Sequence, residues 1–446
     1  MSGRQLEGTS MRRERINRFL TFMNRDGWNP RLFLLIALIF VVMSRVALIA
    51  ATPQYANDFD IAIYQSSGKL VLEGVNPYDF SDQPQVRERV RQEMGTVNAY
   101  IAETQERWDL FVAANLPGST ILYALFEFAS GGSRWIWRLL FIGGDISILL
   151  GIYALFSALR GAPRKRWDQA AIFSIACIYP SLILSGTIIP EDKQYQTGLV
   201  LVTAALLCRQ GGTRKARDIV TGLTLSLSVL FKLFGVFLLP LFLVRYWKGS
   251  FAAFLRTSTA GLIPLALSFA AFGPYFIEAI GARGGNDSFS MAQHSSPWVL
   301  LAALGNSSVF GMRILFTIGL VAATIWLFTR RRIDMLNACA ALMVVFACVW
   351  LIGADINRMN MAMMFAIPAM ASVSVRAFRG AALANLAIQV IGYPVLYLLM
   401  GHDREPVQAV LTLVFLLVYF SALFRMRHDA GEEAVGNASQ ALGDGW

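Results

Sequence analysis

The sequence predicts an all-α protein that crosses a membrane many times. Three observations predict it. Hydrophobic residues make up 56% of the 446 residues and charged residues only 15%, against roughly 45–50% and about 25% in soluble globular chains. Mean hydropathy is +0.52, with the apolar residues gathered into runs approaching the ~20 residues that cross a ~30 Å bilayer core. The arginines lie in short loops between those runs, as in the cytoplasmic loops of membrane proteins. A disordered chain and a disulfide-stapled secreted scaffold are excluded by the same figures. Cys177, Cys208, Cys339 and Cys348 all sit in apolar runs without metal-ligand spacing, so they read as small core hydrophobes. The net charge of +10 points to lipid rather than nucleic acid, because no basic stripe with interleaved aromatics lies in a soluble segment.

Residues 1–31 form a basic N-terminal segment carrying Arg4, Arg12, Arg13, Arg15 and Arg18. The first apolar run, 32–51, is too long for the core of a signal peptide and follows too long a leader. It is therefore expected as a retained helix with Arg45 inside it. Further spans are expected near 135–159, 169–187, 196–208, 218–231, 233–244, 251–273, 309–328, 335–352, 359–375, 381–400 and 406–424. That makes about twelve, within a range of 11 to 14. Two shorter apolar stretches, 117–129 and 298–306, fit re-entrant or interfacial segments. The membrane domain thus runs over 32–427, and the polar, Gly/Ala-rich tail 428–446 is expected to be flexible.

Basic clusters orient the chain. Arg160 with Arg164–Lys165–Arg166, then Arg209 with Arg214, Lys215 and Arg217, Arg245 with Lys248, Arg330–Arg332, Arg376 with Arg379, and Arg425 with Arg427 are placed in the cytoplasm by the positive-inside rule. Both termini are then cytoplasmic. The opposite face has one long loop, 52–116. Within it, 61–73 reads as a helix ended by Gly74 and the turn Asn76–Pro77–Tyr78. A second, amphipathic helix is expected from Pro84 to about Trp108.

That face also gathers charge: Asp58 and Asp60, Glu191–Asp192–Lys193–Gln194, Lys232, His294, Asp355 with Arg358, and His402–Glu405. Carboxylates for proton abstraction and cations for an anion at one membrane level suit an enzyme acting on a phosphate-headed lipid. For a sugar carried on a polyprenyl phosphate, Asp60 is the expected base, with Tyr64 one turn on, and Asp58 the rival, otherwise a helix cap. Lys232, Arg358 and His294 are the candidates to hold the phosphate. Lys232 interrupts an apolar stretch where a lysine costs about 2.5–3.5 kcal/mol. Snorkelling is its plain alternative, a local pair with Asp355 that of Arg358, and a solvated turn that of Glu191 and Asp192. Tyr64, Tyr78, Glu191, Asp192, Lys193, Gln194 and Asp355 are candidates to contact donor or acceptor. No metal triad is spaced in the sequence, so no cofactor is required, although Glu191 and Asp192 could accept a divalent cation. No nucleotide-binding loop is found.

The order of one helix, a long loop with an early Asp, then many helices resembles the GT-C superfamily of membrane glycosyltransferases. Asp60-Ile-Ala-Ile-Tyr64, then Leu-Glu-Gly74 and Asn-Pro77-Tyr78, is similar to the opening motif of the polyprenol-phosphate-mannose-dependent mannosyltransferases. Phe231-Lys232 with Leu-Leu-Pro240 and Arg245–Lys248 resembles their Lys…Pro…basic segment. The chain departs from them at Asn115-Leu-Pro117-Gly, where a Tyr-Pro-Pro motif is usual. The resemblance implies a GT-C-like fold and an early Asp acting as base, here Asp60. It implies an inverting transfer from a polyprenyl-phosphate-linked sugar to a lipid or glycan acceptor on the periplasmic face of a bacterial inner membrane. Two rival readings compete. One is a transporter or lipid flippase using Arg138, Asp145 and Glu127 as an internal relay. The other is a structural subunit of an envelope complex.

Overall fold

A computed structural model describes residues 30–57, 59–79, 115–158, 166–188, 190–209, 215–247, 250–277, 306–330, 333–350 and 409–421, with a few single positions besides. Every regular element among them is helical. Helix α1 runs Pro30–Ala51, and a 3-10 turn at Pro53–Asn57 leads into α2, Phe59–Leu72. Gly74, at φ +74°, ends α2 where the sequence places the stop. Helix α2 is no surface helix: Ile61 through Ser67 and Leu70 are all buried. It lies against α3, Pro117–Ser130. Helix α3 starts with Pro at the first position and closes on Gly131 in the left-handed region. Its 14 residues reach about 21 Å, short of a full crossing. The expectation that 117–129 does not span on its own is consistent with that length.

Helix α4, Arg134–Ala158, is the axis of the bundle. More than half of its apolar window, 56%, is buried. The same figure is 28% for Arg31–Ala51 and 22% for both Phe251–Phe272 and Gly311–Thr329. These four helices are long and apolar enough to cross a membrane. Against α4 pack α1, α5, Arg166–Ile178, a wide π turn at Leu184–Ile188 and α6, Lys193–Cys208, and α7, Lys215–Lys232, packs in turn on α6. Beyond them come a 3-10 turn at Phe234–Leu238 with α8, Leu239–Trp247, then α9, Phe251–Phe272, and α10, Asn306–Thr329. Helix α11, Met335–Val345, has its first turn capped by Asp334, whose Oδ1 accepts from the Asn337 N–H at 2.7 Å. It continues as a π turn, and α12 covers Ala409–Ser421.

The outward faces are strongly apolar. Met43, Leu267 and Leu315 are each more than 60% exposed, and Ile39, Leu262 and Ile318 more than half. In water such a surface would aggregate; against acyl chains it is the favourable face. The protein is therefore embedded in a membrane. Several expected spans are shorter or broken: 169–187 is interrupted before Pro180, and 233–244 divides into a 3-10 turn and α8. The segments 359–375 and 381–400 and most of 84–108 lie outside the described residues, as do both termini. Of the second loop helix, Glu88, Arg89 and Gln92 are described and helical, with Arg89 paired to Glu73. All four cysteines are buried and unbridged.

Candidate functional site

Four stretches far apart in sequence meet at one end of the bundle: the start of α2, the start of α3, the turn before α6 and the end of α7. The meeting point is Asp192, whose side chain is fully buried. Lys232 Nζ donates to its Oδ1 at 2.6 Å, and Ser119 Oγ lies 2.5 Å from its Oδ2. Ser119 also lies 3.0 Å from the Phe231 carbonyl. It has one proton, and the carboxylate is the stronger acceptor. Burial alone would raise the Asp192 carboxyl. The Lys232 charge outweighs that, with hydrogen bonds from Lys232 and Ser119 and the nearby Tyr123 hydroxyl, and holds the carboxyl below its usual value. A solvated turn at this place is thereby overturned for Asp192. Snorkelling is likewise overturned for Lys232, whose ammonium turns to a buried partner rather than to the interface. Its side chain is 25% exposed against 0% for Asp192.

Backbone placement explains the pair. Helix α7 ends at Lys232 because Leu233 adopts φ +63°, a left-handed conformation unfavourable for a branched side chain. Gly235 then lets the 3-10 turn fold back on α7. A Cβ there would fall 1.9 Å from Ser228 Oγ and 3.0 Å from the Leu225 carbonyl, so any larger residue must displace Ser228 and crowd the backbone of α7. On the other side, Gly118 lets α3 approach the end of α7, since a Cβ would come 2.8 Å from Phe231 and 3.0 Å from the Leu230 carbonyl.

Asp60 lies in the first turn of α2, partly buried. Tyr64 is buried one turn later, its ring stacked on Tyr123 with centroids 4.4 Å apart. Burial pushes the Tyr64 phenol well above its ordinary value, and the negative charge of Asp60 adds to that, followed by Tyr123, Asp192 and Glu191. Tyr64 therefore stays a neutral hydroxyl amid acids. The same charges show that the early acid and the Glu191–Asp192 turn share one electrostatic neighbourhood. Glu191 and Lys193 form an ion pair at its edge.

Not every expected residue joins. The Gln194 side chain packs on α4, where a Cβ on Gly144 would come 2.7 Å from its Cβ. Tyr78 stands in a separate aromatic group with Phe272 and Phe276, its hydroxyl 2.8 Å from the Asn115 carbonyl and from Thr120 Oγ1. Asp58, His294, Asp355 and Arg358 lie outside the described residues. Among the described residues, no three His, Cys, Asp or Glu side chains are grouped to hold a metal ion. Sequence reasoning missed Ser119 and Tyr123, four apart on α3. The available signal was a run of hydroxyls, Ser119, Thr120 and Tyr123, directly after Pro117 in an otherwise apolar stretch.

The residues proposed for an internal relay occupy three separate networks. Asp145 Oδ2 accepts from Arg45 Nε at 2.8 Å, while Arg45 Nη2 donates to the Cys177 carbonyl at 3.0 Å. Arg138 donates to the Thr52 carbonyl at 2.6 Å, to Thr52 Oγ1 at 2.8 Å and to the Thr187 carbonyl at 3.0 Å. Glu127 accepts from Trp137 Nε1 at 2.9 Å and Gln65 Nε2 at 3.2 Å. No protein-family model, curated protein or solved structure matches the chain.

Proposed function

We propose that the chain is a membrane glycosyltransferase of GT-C type. It moves one sugar from a polyprenyl phosphate to a lipid or glycan acceptor at the outer face. One observation carries this reading: the Asp60 turn, the Glu191–Asp192 turn more than a hundred residues further on, and Lys232, another 40 beyond Asp192, share one charged neighbourhood at the end of the bundle. Asp60 takes the proton of the acceptor hydroxyl. The acceptor oxygen attacks C1 of the sugar from the face opposite the leaving group. The bond from C1 to the phosphate oxygen breaks, and its electron pair leaves with the phosphate. Lys232, the partly exposed member of its pair, meets that charge. Burial keeps the neighbouring Tyr64 protonated, as a hydrogen-bond donor. Arg358 and His294 remain further candidates for the phosphate and Asp355 for the sugars.

The transport alternative has less support, because Arg138, Asp145 and Glu127 are each committed to fixed partners. The test is turnover of a polyprenyl-phosphate hexose by the purified chain in a membrane mimic. Asp60→Asn is expected to lower sugar transfer roughly 10²–10⁴-fold while the donor still binds in native mass spectra. Wild-type protein that neither binds nor consumes the donor overturns the reading.

A further inference from the structure

Two buried polar side chains at this site lack hydrogen-bond partners among the described residues. Gln196 is fully buried, and neither its amide nitrogen nor its amide oxygen is bonded. The statement holds whichever way the amide is turned. Tyr123 is also fully buried. Its hydroxyl approaches the Asp192 carboxylate and the Ser119 hydroxyl but forms no hydrogen bond of good geometry. A buried amide or hydroxyl left unpaired costs about 1–3 kcal/mol, and such groups in native proteins call for a cause.

Helix geometry places Gln196 at the same site. The Gln196 N–H bonds to the Asp192 carbonyl, so the two residues stack one turn apart. Long side chains on a helix lean back towards its N-terminus, which returns the amide to the level of Asp192. The opposite face of α6 is already filled: Gln194, Gly198 and Leu201 meet Gly144, Ser147 and Gly151 of α4. The Gln196 amide therefore lies on the side of α6 turned away from α4, with α7 packed against that helix.

We propose that Gln196 and Tyr123 form a subsite that reads hydroxyl groups of the transferred sugar, beside the Asp192 carboxylate and closed by Lys232 while the two are paired. An amide offers two donors and an acceptor, and a phenol one of each. That set matches vicinal sugar hydroxyls and has nothing to offer a bare phosphate. Lys232 is the gate. Its flexible, partly exposed side chain lets it move from Asp192 to the donor phosphate, and the sugar then enters the space it leaves. The proposal rests on the glycosyltransferase reading and specifies where that enzyme discriminates its donor.

The experiment compares two probes, polyprenyl phosphate and polyprenyl-phosphate mannose, by native mass spectrometry on wild type, Tyr123→Phe and Gln196→Leu. Thermal unfolding is followed in parallel. Wild type is expected to prefer the mannosyl lipid, and each variant to lose about tenfold of that preference while holding bare polyprenyl phosphate as before. Both variants are expected to unfold no lower than wild type, since each removes an unpaired buried polar group. Variants that keep the preference, or that fall in melting temperature because the polar atoms hold the fold, overturn the subsite and leave the glycosyltransferase reading standing. Wild type that binds neither lipid overturns both.

Discussion

Asp192 shows how much one carboxylate can organise. It is buried, it is charged, and it draws Lys232, Ser119 and Tyr123 around it. Its carboxyl is held below the ordinary value, so the folded state binds its proton less readily than the unfolded chain does. The stability it contributes is complete above the unfolded pKa of about 3.9 and is lost as pH falls through the lower folded value. Asp192→Asn is expected to cost about 2–3 kcal/mol at neutral pH, allowing for the partly exposed Lys232 side chain. Thermal unfolding of both proteins from pH 7 to pH 2 checks this: the gap between them should close only at the acid end. A gap unchanged at pH 2 would assign the loss to shape rather than charge. At this scale the sequence was half legible. Lys232 stands out because a lysine in an apolar run demands a reason, and Asp60 because it opens a helix. Their surroundings were hidden, since Asp192 and Lys232 are 40 positions apart and no local spacing joins them.

Between elements, small residues decide which helices touch. Helices α7 and α9 pack backbone to backbone where Gly222 faces Thr257 and Gly261; a Cβ on Gly222 would fall 2.0 Å from the Thr257 carbonyl. Helices α4 and α6 do the same at Gly144, Gly151 and Gly198. This is how helices associate in lipid, where burial of apolar surface no longer drives them together. Gly222→Val is expected to destabilise the protein by about 1–3 kcal/mol and to displace Lys232, at the far end of the same helix. Gly311→Ala on α10, where nothing lies within 4 Å, is the neutral control. Equal melting of both variants would refute the close packing. The stop of α2 at Gly74 and the start of α3 at Pro117 were readable, because glycine and proline act locally. The burial of α2 was not, because its alternation is weak and its cover, α3, lies 45 or more positions further on. Apolar runs of 12 to 19 residues, 233–244, 335–352 and 169–187, also hid the 3-10 and π turns that divide these expected spans.

For the whole molecule, membrane embedding was legible in composition alone, because a charged fraction of 15% cannot coat a soluble surface. Which long helix is central was not legible. Composition cannot separate α1 from α4, yet α4 is twice as buried as α1, owing to Arg138, Asp145 and a row of glycines. Each long helix could leave the translocation machinery alone if it were only apolar. Helices α1 and α4 are not. Each carries a charge of opposite sign at bilayer depth, Arg45 and Asp145, which bond across 100 positions of chain. Alone, either charge adds about 2.5–3.5 kcal/mol to insertion; together they are neutral. Synthesis should therefore hold α1 in reserve until α4 emerges, and the two should enter lipid as a pair. Chains truncated after α4 are expected to integrate stably, whereas the same truncation carrying Asp145→Leu should leave Arg45 without its counter-charge and increase extraction of α1 by alkaline carbonate. Equal retention of both would mean that the helices insert one by one. The ion pair at the centre of the bundle thus acts before there is a bundle, as a timing device in the birth of the protein.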